Sequence, residues 1–568
     1  MGTSDTTPES GENQQALDAW LDRFFTQYYA ARPVNATFIG VHEHDHRLPD
    51  VSAAGRAHNV AEMGALRTEL AALPPTGLDE VRRTDALLAD GFLELQIMEA
   101  ELPQFHLGNP ALYTGEAVFS VISLFQRDAE PVADRIDAAI SRMHALPGYL
   151  DQARQNLQGA PVAWTDHALR EANSSAIYFS QGISQIAARH DIRAADLVAA
   201  GEVARDAMLA FAGWLDESLR ARPAEAVSCG RAAFDRYLRR GHCLPANQDS
   251  TWLAGYAEEA LRQTQAALVE KAAQIDPHRT WDQQLATLGN LHPAPQDYYA
   301  TYPRVWDEAR EAAVDAGLLT WPDYPIEYVP IPETDREAAK GLYYLFYRCP
   351  PPFGRPETHR YLVPPLPPES QPQAQLDMLR RTNDAVILLN HVVHHGGLGH
   401  HVQNWHAFRA PSRVGQIAGV DCASRIAMFC AGTLVEGWAC YATDLMDEIG
   451  FLTPLQSLSE AQSRVRMAAR AVADVALHTG AMTLDEAAAF YEREAGMDPG
   501  AARTEAIKNS MFPGAAAMYL VGTNAIHDLR QTMRARQGSE FSLRDFHDAF
   551  LSYGAIPTAL IAQEMLAT

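Results

Sequence analysis

With 568 residues, 47% of them hydrophobic and 21% charged, the chain has material for a large globular core. Its 46 basic residues face 71 acidic ones, and a formal charge of −25 repels phosphate backbones and anionic lipid heads, which excludes nucleic acid and membrane surfaces as partners. No run of about 18 apolar residues is present to span a bilayer.

The opening Met-Gly-Thr-Ser-Asp-Thr-Thr-Pro lacks the apolar core of a signal peptide, and residues 1–12 read as a disordered tail. Six cysteines (Cys229, Cys243, Cys349, Cys422, Cys430 and Cys440) without a C-x-x-C pair read as reduced core thiols of a cytoplasmic protein. From Ala16 the text turns helical, with Leu17, Trp20, Leu21, Phe24 and Phe25 forming an apolar stripe. A loop is expected from Asn35 to His46. Its alternating His42, His44 and His46 fit solvent-facing positions or a cleft rim better than metal ligands. Residues 54–285 carry helical spacing throughout, with breaks expected at Leu73-Pro-Pro, Asn109-Pro and Leu146-Pro-Gly. Between Trp321 and Pro368 the pattern changes. Ile326-Glu-Tyr-Val-Pro and Tyr343-Tyr-Leu-Phe-Tyr alternate as strands do, and the prolines that follow suit edges and turns. Helices resume after Gln373. The fold class is therefore mainly α: a single α-rich unit over 13–568, helical over 13–320, with a small sheet over 321–368 and helices from 373 to 568.

Five of the 21 histidines fall between His391 and Gln403, and Glu436-Gly-Trp-Ala-Cys-Tyr follows about thirty residues later. Imidazole is the commonest zinc ligand, and a carboxylate from a second helix is its usual complement. As one helix, Ala385–His395 would put His391 and His395 on a shared face with His394 adjacent. Gly396-Gly-Leu-Gly399 would distort that helix and swing His400 and His401 back, since on an undisturbed helix His394 and His401 stand about 10 Å apart.

These motifs resemble the bacterial domain-of-unknown-function 885 family, zincin-type metallopeptidases similar in fold to carboxypeptidase Taq. The family's H-E-x-x-P-G-H-H-x-Q reads here His394-His395-Gly-Gly-Leu398-Gly399-His400-His401-Val-Gln403. Its E-G-W-A-x-Y-A-E reads Glu436-Gly-Trp438-Ala-Cys-Tyr441-Ala-Thr443. Its R-x-x-x-D-x-x-x-H falls on Arg470, Asp474 and His478, and its W-P-G-Q block on Phe512-Pro-Gly-Ala515 through Tyr519 and Gly522. The resemblance implies a divalent transition metal, zinc first, held by His394, His400 or His401, and Glu436. Where the family has a glutamate that activates water, this chain has His395, which would act as base or as a further ligand. Leu398, Thr443 and Ala515 replace proline, glutamate and glutamine, while Lys508 and Asn509 stand at an Arg-Tyr pair.

Arg470, Asp474 and His478 are four apart and stack on one helix face. In the functional reading Asp474 orients Arg470 and His478 for substrate binding or acid–base work. Tyr441 and Tyr519 are candidate donors to a developing oxyanion. The expected activity is metal-dependent hydrolysis of an amide or peptide-like small molecule bearing a carboxylate, which Arg470 or Lys508 would anchor. A lyase, decarboxylase or isomerase on the same scaffold is the second expectation, with His395 or His478 moving protons. An inactive binding protein is the third.

Overall fold

The apolar stripe near the N-terminus builds one wall of the core. In the computed structural model, which describes residues 8–126, 130–225, 227–336, 339, 341, 349–422, 425–426 and 429–567, a helix spans Pro8–Ala31. Leu17, Trp20, Leu21, Phe24, Phe25 and Tyr28 on it are buried, and the Trp20 indole donates to the Leu66 carbonyl. Packing of this stripe propagates the helix backward, with proline at its permitted first position. The helix thus takes in residues 8–12 of the expected tail; residues 1–7 lie outside the described residues.

The loop expected from Asn35 is partly helix. Pro33–Ile39 forms a short buried helix, opened by proline and stopped by Gly40 at φ 100°. Beyond it His42 pairs with Asp45 at 2.8 Å, and His46 is exposed. The break expected at Leu146-Pro-Gly does not occur, because the helix Val132–Asn156 runs through Pro147. An interior proline costs about 3 kcal/mol, and buried Ile136, Met143, Leu146, Tyr149, Leu150 and Ala153 on both sides of it hold the helix together.

The fold is mainly α. Among the described residues, strands form only two small pairs, and no helix is long and apolar enough to cross a membrane. Strand β1 (Ile326–Pro330) is where the alternation predicts one, but its parallel partner β2 is His359–Val363, inside the proline-rich segment. The strand expected at Tyr343–Tyr347 lies outside the described residues. On β2 the alternation turns Tyr361 inward, where its hydroxyl meets His391 Nδ1 at 2.6 Å. The small sheet is thereby a buttress behind the histidine segment.

The C-terminal helices are punctuated as their sequences dictate. Thr453 and Gln456 form a capping box on Pro454–Thr479, as Thr483 and Glu486 do on Leu484–Ala495, and Asp498 caps Pro499–Met511. Pro454–Thr479 packs along Ser250–Ile275. Gly432–Glu448 crosses Met518–Gln537 at Gly437 and Gly522, so closely that a Cβ on Gly522 would fall 1.9 Å from the Thr433 carbonyl. That approach fixes the helix carrying Glu436 against the helix opening at Tyr519.

Candidate metal centre

The segment predicted as an α-helix from Ala385 to His395 starts as one turn, Asp384–Val386, capped by the Asn383 side chain. It continues as a π-helix over Ile387–Gly396. The wider π turn is a costly form that recurs at functional positions. Here it sends neighbouring imidazoles in different directions. His391, expected beside His395 on one face, packs instead against the rings of Tyr302 and Tyr361. His395 turns its Nδ1 to the Asn390 carbonyl, five residues back, at 2.7 Å. That contact assigns the proton to Nδ1 and leaves Nε2 with a lone pair.

The chain then folds back through Gly397-Leu398-Gly399. A Cβ on Gly399 would lie 2.0 Å from the His394 carbonyl, so only glycine permits the reversal. The buried Trp438 indole donates to the Leu398 carbonyl at 2.9 Å and pins this turn to the helix that bears Glu436. The outcome is the expected convergence, with a different membership. Ring centres of His394, His395 and His400 lie 4.7 to 5.4 Å apart, and one ligand atom from each lies within 4.8 Å of the others. Glu436 Oε2 is 3.4 Å from His394 Nε2 and 3.8 Å from His400 Nε2. His401 is a correction: it faces away, stacked on Tyr324 with its Nε2 2.7 Å from the Tyr324 carbonyl. Successive helical residues point about 100° apart, so His400 and His401 cannot both face the cluster.

The protonation states suit a cation. Burial, reinforced by mutual repulsion, keeps His395 well below the ordinary histidine value, and burial brings His400 down to about 4. Both are neutral at pH 7, with lone pairs available. Burial alone would raise the Glu436 carboxyl, but the His394 contact and the neighbouring His400 and Lys508 hold it down to about 2. Zinc bonds of 2.0–2.2 Å place tetrahedral ligand atoms roughly 3.4 Å apart, close to the 3.4 and 3.8 Å between Glu436 and the two imidazoles. Three imidazoles, two of them held neutral by burial, and one ionised carboxylate therefore fit a divalent transition metal.

Around this cluster the remaining expected residues divide. Burial first, and the Glu436 charge second, keep the Tyr519 hydroxyl protonated far above the ordinary range, so it is a hydrogen-bond donor. Lys508 helps to lower the Glu436 and Glu505 carboxyls. Arg470 is present, its guanidinium 4.9 Å from the Tyr519 ring centre, but Asp474 does not orient it. Glu505 does, at 2.7 and 3.1 Å. Asp474 is fully buried and accepts the backbone N–H groups of Gly514 and Ala517 at 3.0 and 2.8 Å. It secures the turn before Tyr519 and is not a substrate contact. His478 is likewise fully buried, stacked on Phe234 with Nε2 3.0 Å from the Asn509 carbonyl, a packing position with no path to a substrate. Tyr441 gives a further correction. Its hydroxyl meets His547 Nε2 at 2.8 Å and Arg530 at 3.0 Å, five residues along the helix from Glu436 and off its face. Sequence reasoning missed Glu505 and Cys440. The Cys440 thiol, 3.9 Å from His394 Nδ1, sits four residues after Glu436, a spacing that could have revealed it.

A lipoprotein candidate of unknown function from Shewanella oneidensis is similar to this chain, with a TM-score of 0.77 and 21% identity over 97% of this chain and 99% of that one. Another from Colwellia psychrerythraea has a TM-score of 0.75 and 17% identity, covering 98% of both chains. At these identities the likeness establishes a shared fold. The comparison with curated proteins finds no match. The model of the family described as bacterial protein of unknown function (DUF885) matches residues 33–565, nearly the whole chain, and the protein belongs to that family.

Proposed function

We propose that this protein is a metal-dependent hydrolase of an amide or peptide-like small molecule bearing a carboxylate. The observation that carries the reading is the meeting of three imidazoles, His394, His395 and His400, with Glu436, at a place where the His394, His400 and Glu436 side chains are only slightly exposed. His394, His400 and Glu436 would hold the ion, zinc first, which supplies Lewis acidity toward the scissile carbonyl. His395, with its proton fixed on Nδ1 by Asn390, presents Nε2 to take a proton from attacking water and return it to the leaving amine. Tyr519 donates to the oxygen on which charge develops. Lys508 and Arg470 place positive charge beside the cluster, where a substrate carboxylate would be held.

A second reading, a lyase, decarboxylase or isomerase, draws on the same His395: a neutral imidazole suits reversible proton transfer as well as it suits hydrolysis. A cytoplasmic location is also our proposal for this chain, supported by the free thiols of Cys229, Cys243, Cys430 and Cys440, whereas the two structural relatives are described as lipoprotein candidates.

Metal analysis of protein purified without a histidine tag should find about one equivalent of a divalent transition metal per chain. Its absence would remove both enzymatic readings. Incubation with dipeptides and acylated amino acids then separates them. Hydrolysis that disappears in His395→Ala supports the first reading, and a metal-loaded protein that hydrolyses none of them supports the second.

A further inference from the structure

The helices Pro8–Ala31, Ala53–Ala72, Glu80–Glu99, Ala111–Phe125 and Val132–Asn156 surround a cavity of about 210 Å³ that no residue of the histidine cluster lines. One water needs only about 10–15 Å³ of such space, so a small organic molecule fits. Val51, Met63, Phe105, Leu112 and Tyr113 line it beside a few polar side chains, the mixture found in small-molecule sites. Two of the lining oxygens are unspent. Glu116 is half-buried, yet among the described residues no hydrogen bond or ion pair engages its carboxylate. Tyr149 is 5% exposed, and its hydroxyl likewise makes no hydrogen bond among the described residues. Its ring centre lies 6.1 Å from that of Tyr113, which stands one turn before Glu116 on the same helix.

The guanidiniums around the cavity are committed elsewhere. Arg32 donates to Gln96 and lies over the rings of Tyr28 and Phe92, at 5.1 and 4.9 Å. Arg56 donates to Asn156 at 2.9 Å. Fully buried Arg142 donates to the Ser120 carbonyl and to Thr37, at 2.6 and 2.7 Å. The charges of Arg142 and Arg32 offset burial only in part, and the Glu116 carboxyl is pushed up to about 7. An unmatched carboxylate withdrawn from bulk water is costly to a fold and calls for a ligand or ion. A cation meets that call. An ionised carboxylate only accepts hydrogen bonds, aromatic faces attract positive charge, and the chain's formal charge of −25 gathers cations around it.

We propose that this cavity is a second ligand site, which binds a small primary ammonium ion with Glu116 as its counter-ion, the Tyr149 hydroxyl oxygen as a further acceptor and the Tyr113 and Phe105 rings beside its alkyl body. The site stands apart from the metal centre and does not rest on the hydrolase reading.

Calorimetric titration of the full-length protein, at a mildly alkaline pH where Glu116 is ionised, compares n-butylammonium with 1-butanol and with butyrate. Wild type is expected to bind butylammonium with a dissociation constant below about 1 mM, which is within reach of so small a ligand. The alcohol and butyrate should bind at least about tenfold more weakly, since neither makes a charge-assisted bond to a carboxylate. Glu116→Gln should erase the preference, and Tyr149→Phe should weaken butylammonium several-fold. Glu259→Gln, which removes an exposed partner of Arg262, should change nothing and so separates a built site from diffuse attraction to an acidic protein. A cavity that holds only water would show no saturable binding of butylammonium, and that result overturns the proposal. Alcohol or butyrate bound as tightly as the ammonium, or full preference retained in Glu116→Gln, overturns it too. Thermal melting gives an independent reading. No protein group relies on the Glu116 carboxylate, so Glu116→Gln should melt no lower than wild type, and a marked drop would reveal a structural partner and sink the site. Tyr149→Phe, read by the same titration, carries the test if the glutamine variant cannot be purified, and an unchanged affinity there overturns the assignment. None of these outcomes touches metal content or the peptidase assays.

Discussion

Two histidine-bearing segments look equally promising in the chain and end in opposite states. Around residue 400, imidazoles from a π-helix and from the helix after it converge on Glu436, with His394, His400 and Glu436 side chains 14%, 6% and 16% exposed. On the helix Pro454–Thr479, Asp474 and His478 also stand at contact spacing, 3.6 Å apart, yet both are wholly shielded from solvent and bonded to backbone groups. Spacing sets which side chains share a face, and what the face meets sets whether they do chemistry. In the first segment glycines break the helix and let two faces turn inward together. In the second an uninterrupted helix packs its polar stripe against the turn at 512–517, and the carboxylate satisfies the N–H groups of that turn.

That contrast breaks most sharply under substitution at the cluster. His400→Ala or Glu436→Gln should reduce bound metal from about one equivalent to a small fraction, because each removes one of three protein ligands, and should abolish hydrolysis. Thermal stability of the metal-free protein should barely move. Metal retained at full stoichiometry in both variants would remove the cluster as a metal site. His395→Ala should keep the metal and lose on the order of 10²–10⁴-fold in kcat, the contribution of a positioned base. Loss of metal in that variant would instead make His395 a ligand.

The stripe should behave in reverse. Asp474→Ala leaves the buried N–H groups of Gly514 and Ala517 without an acceptor, and a loss of about 3 kcal/mol in stability is expected, read by denaturant unfolding. Its folded fraction should still bind metal. His478 carries the pH signature. Burial lowers it to about 4, from an ordinary 6.5, so the unfolded chain binds the extra proton between those values. Stability conferred by its neutral form is present above pH 6.5 and is lost as pH falls toward 4. His478→Gln should reduce that acid slope by about one proton without changing metal content. An unchanged slope would show that His478 is not buried in its neutral form.

Helix content, the placement of strand β1 and the convergence of His394 and His400 on Glu436 were all legible, since apolar periodicity, β-branched alternation and ligand-type residues leave local marks. What was not legible depended on distant partners. Pro147 reads as a stop until the buried residues on both sides are seen to carry the helix through it. Strand β2 hides among prolines because a parallel partner thirty residues away supplies its pairing. His401 looks as good a ligand as His400 until Tyr324 claims it.

The finest test of the contrast lies in two tyrosines that the sequence offered as equivalents. Tyr519 stands in the field of Glu436 with Arg470 on its ring, and its hydroxyl is a donor at any working pH. Removing an oxyanion donor of this kind costs roughly 10²–10³ in kcat, so Tyr519→Phe should lower kcat with metal content intact. Tyr441 spends its hydroxyl on His547 and Arg530. Tyr441→Phe should therefore leave kcat and KM nearly untouched and lower stability by about 1 kcal/mol, the net worth of a hydrogen bond. Should Tyr441→Phe match the loss in Tyr519→Phe, the His547 and Arg530 contacts would have to open in the working enzyme, and the division between reacting and supporting tyrosines would fall.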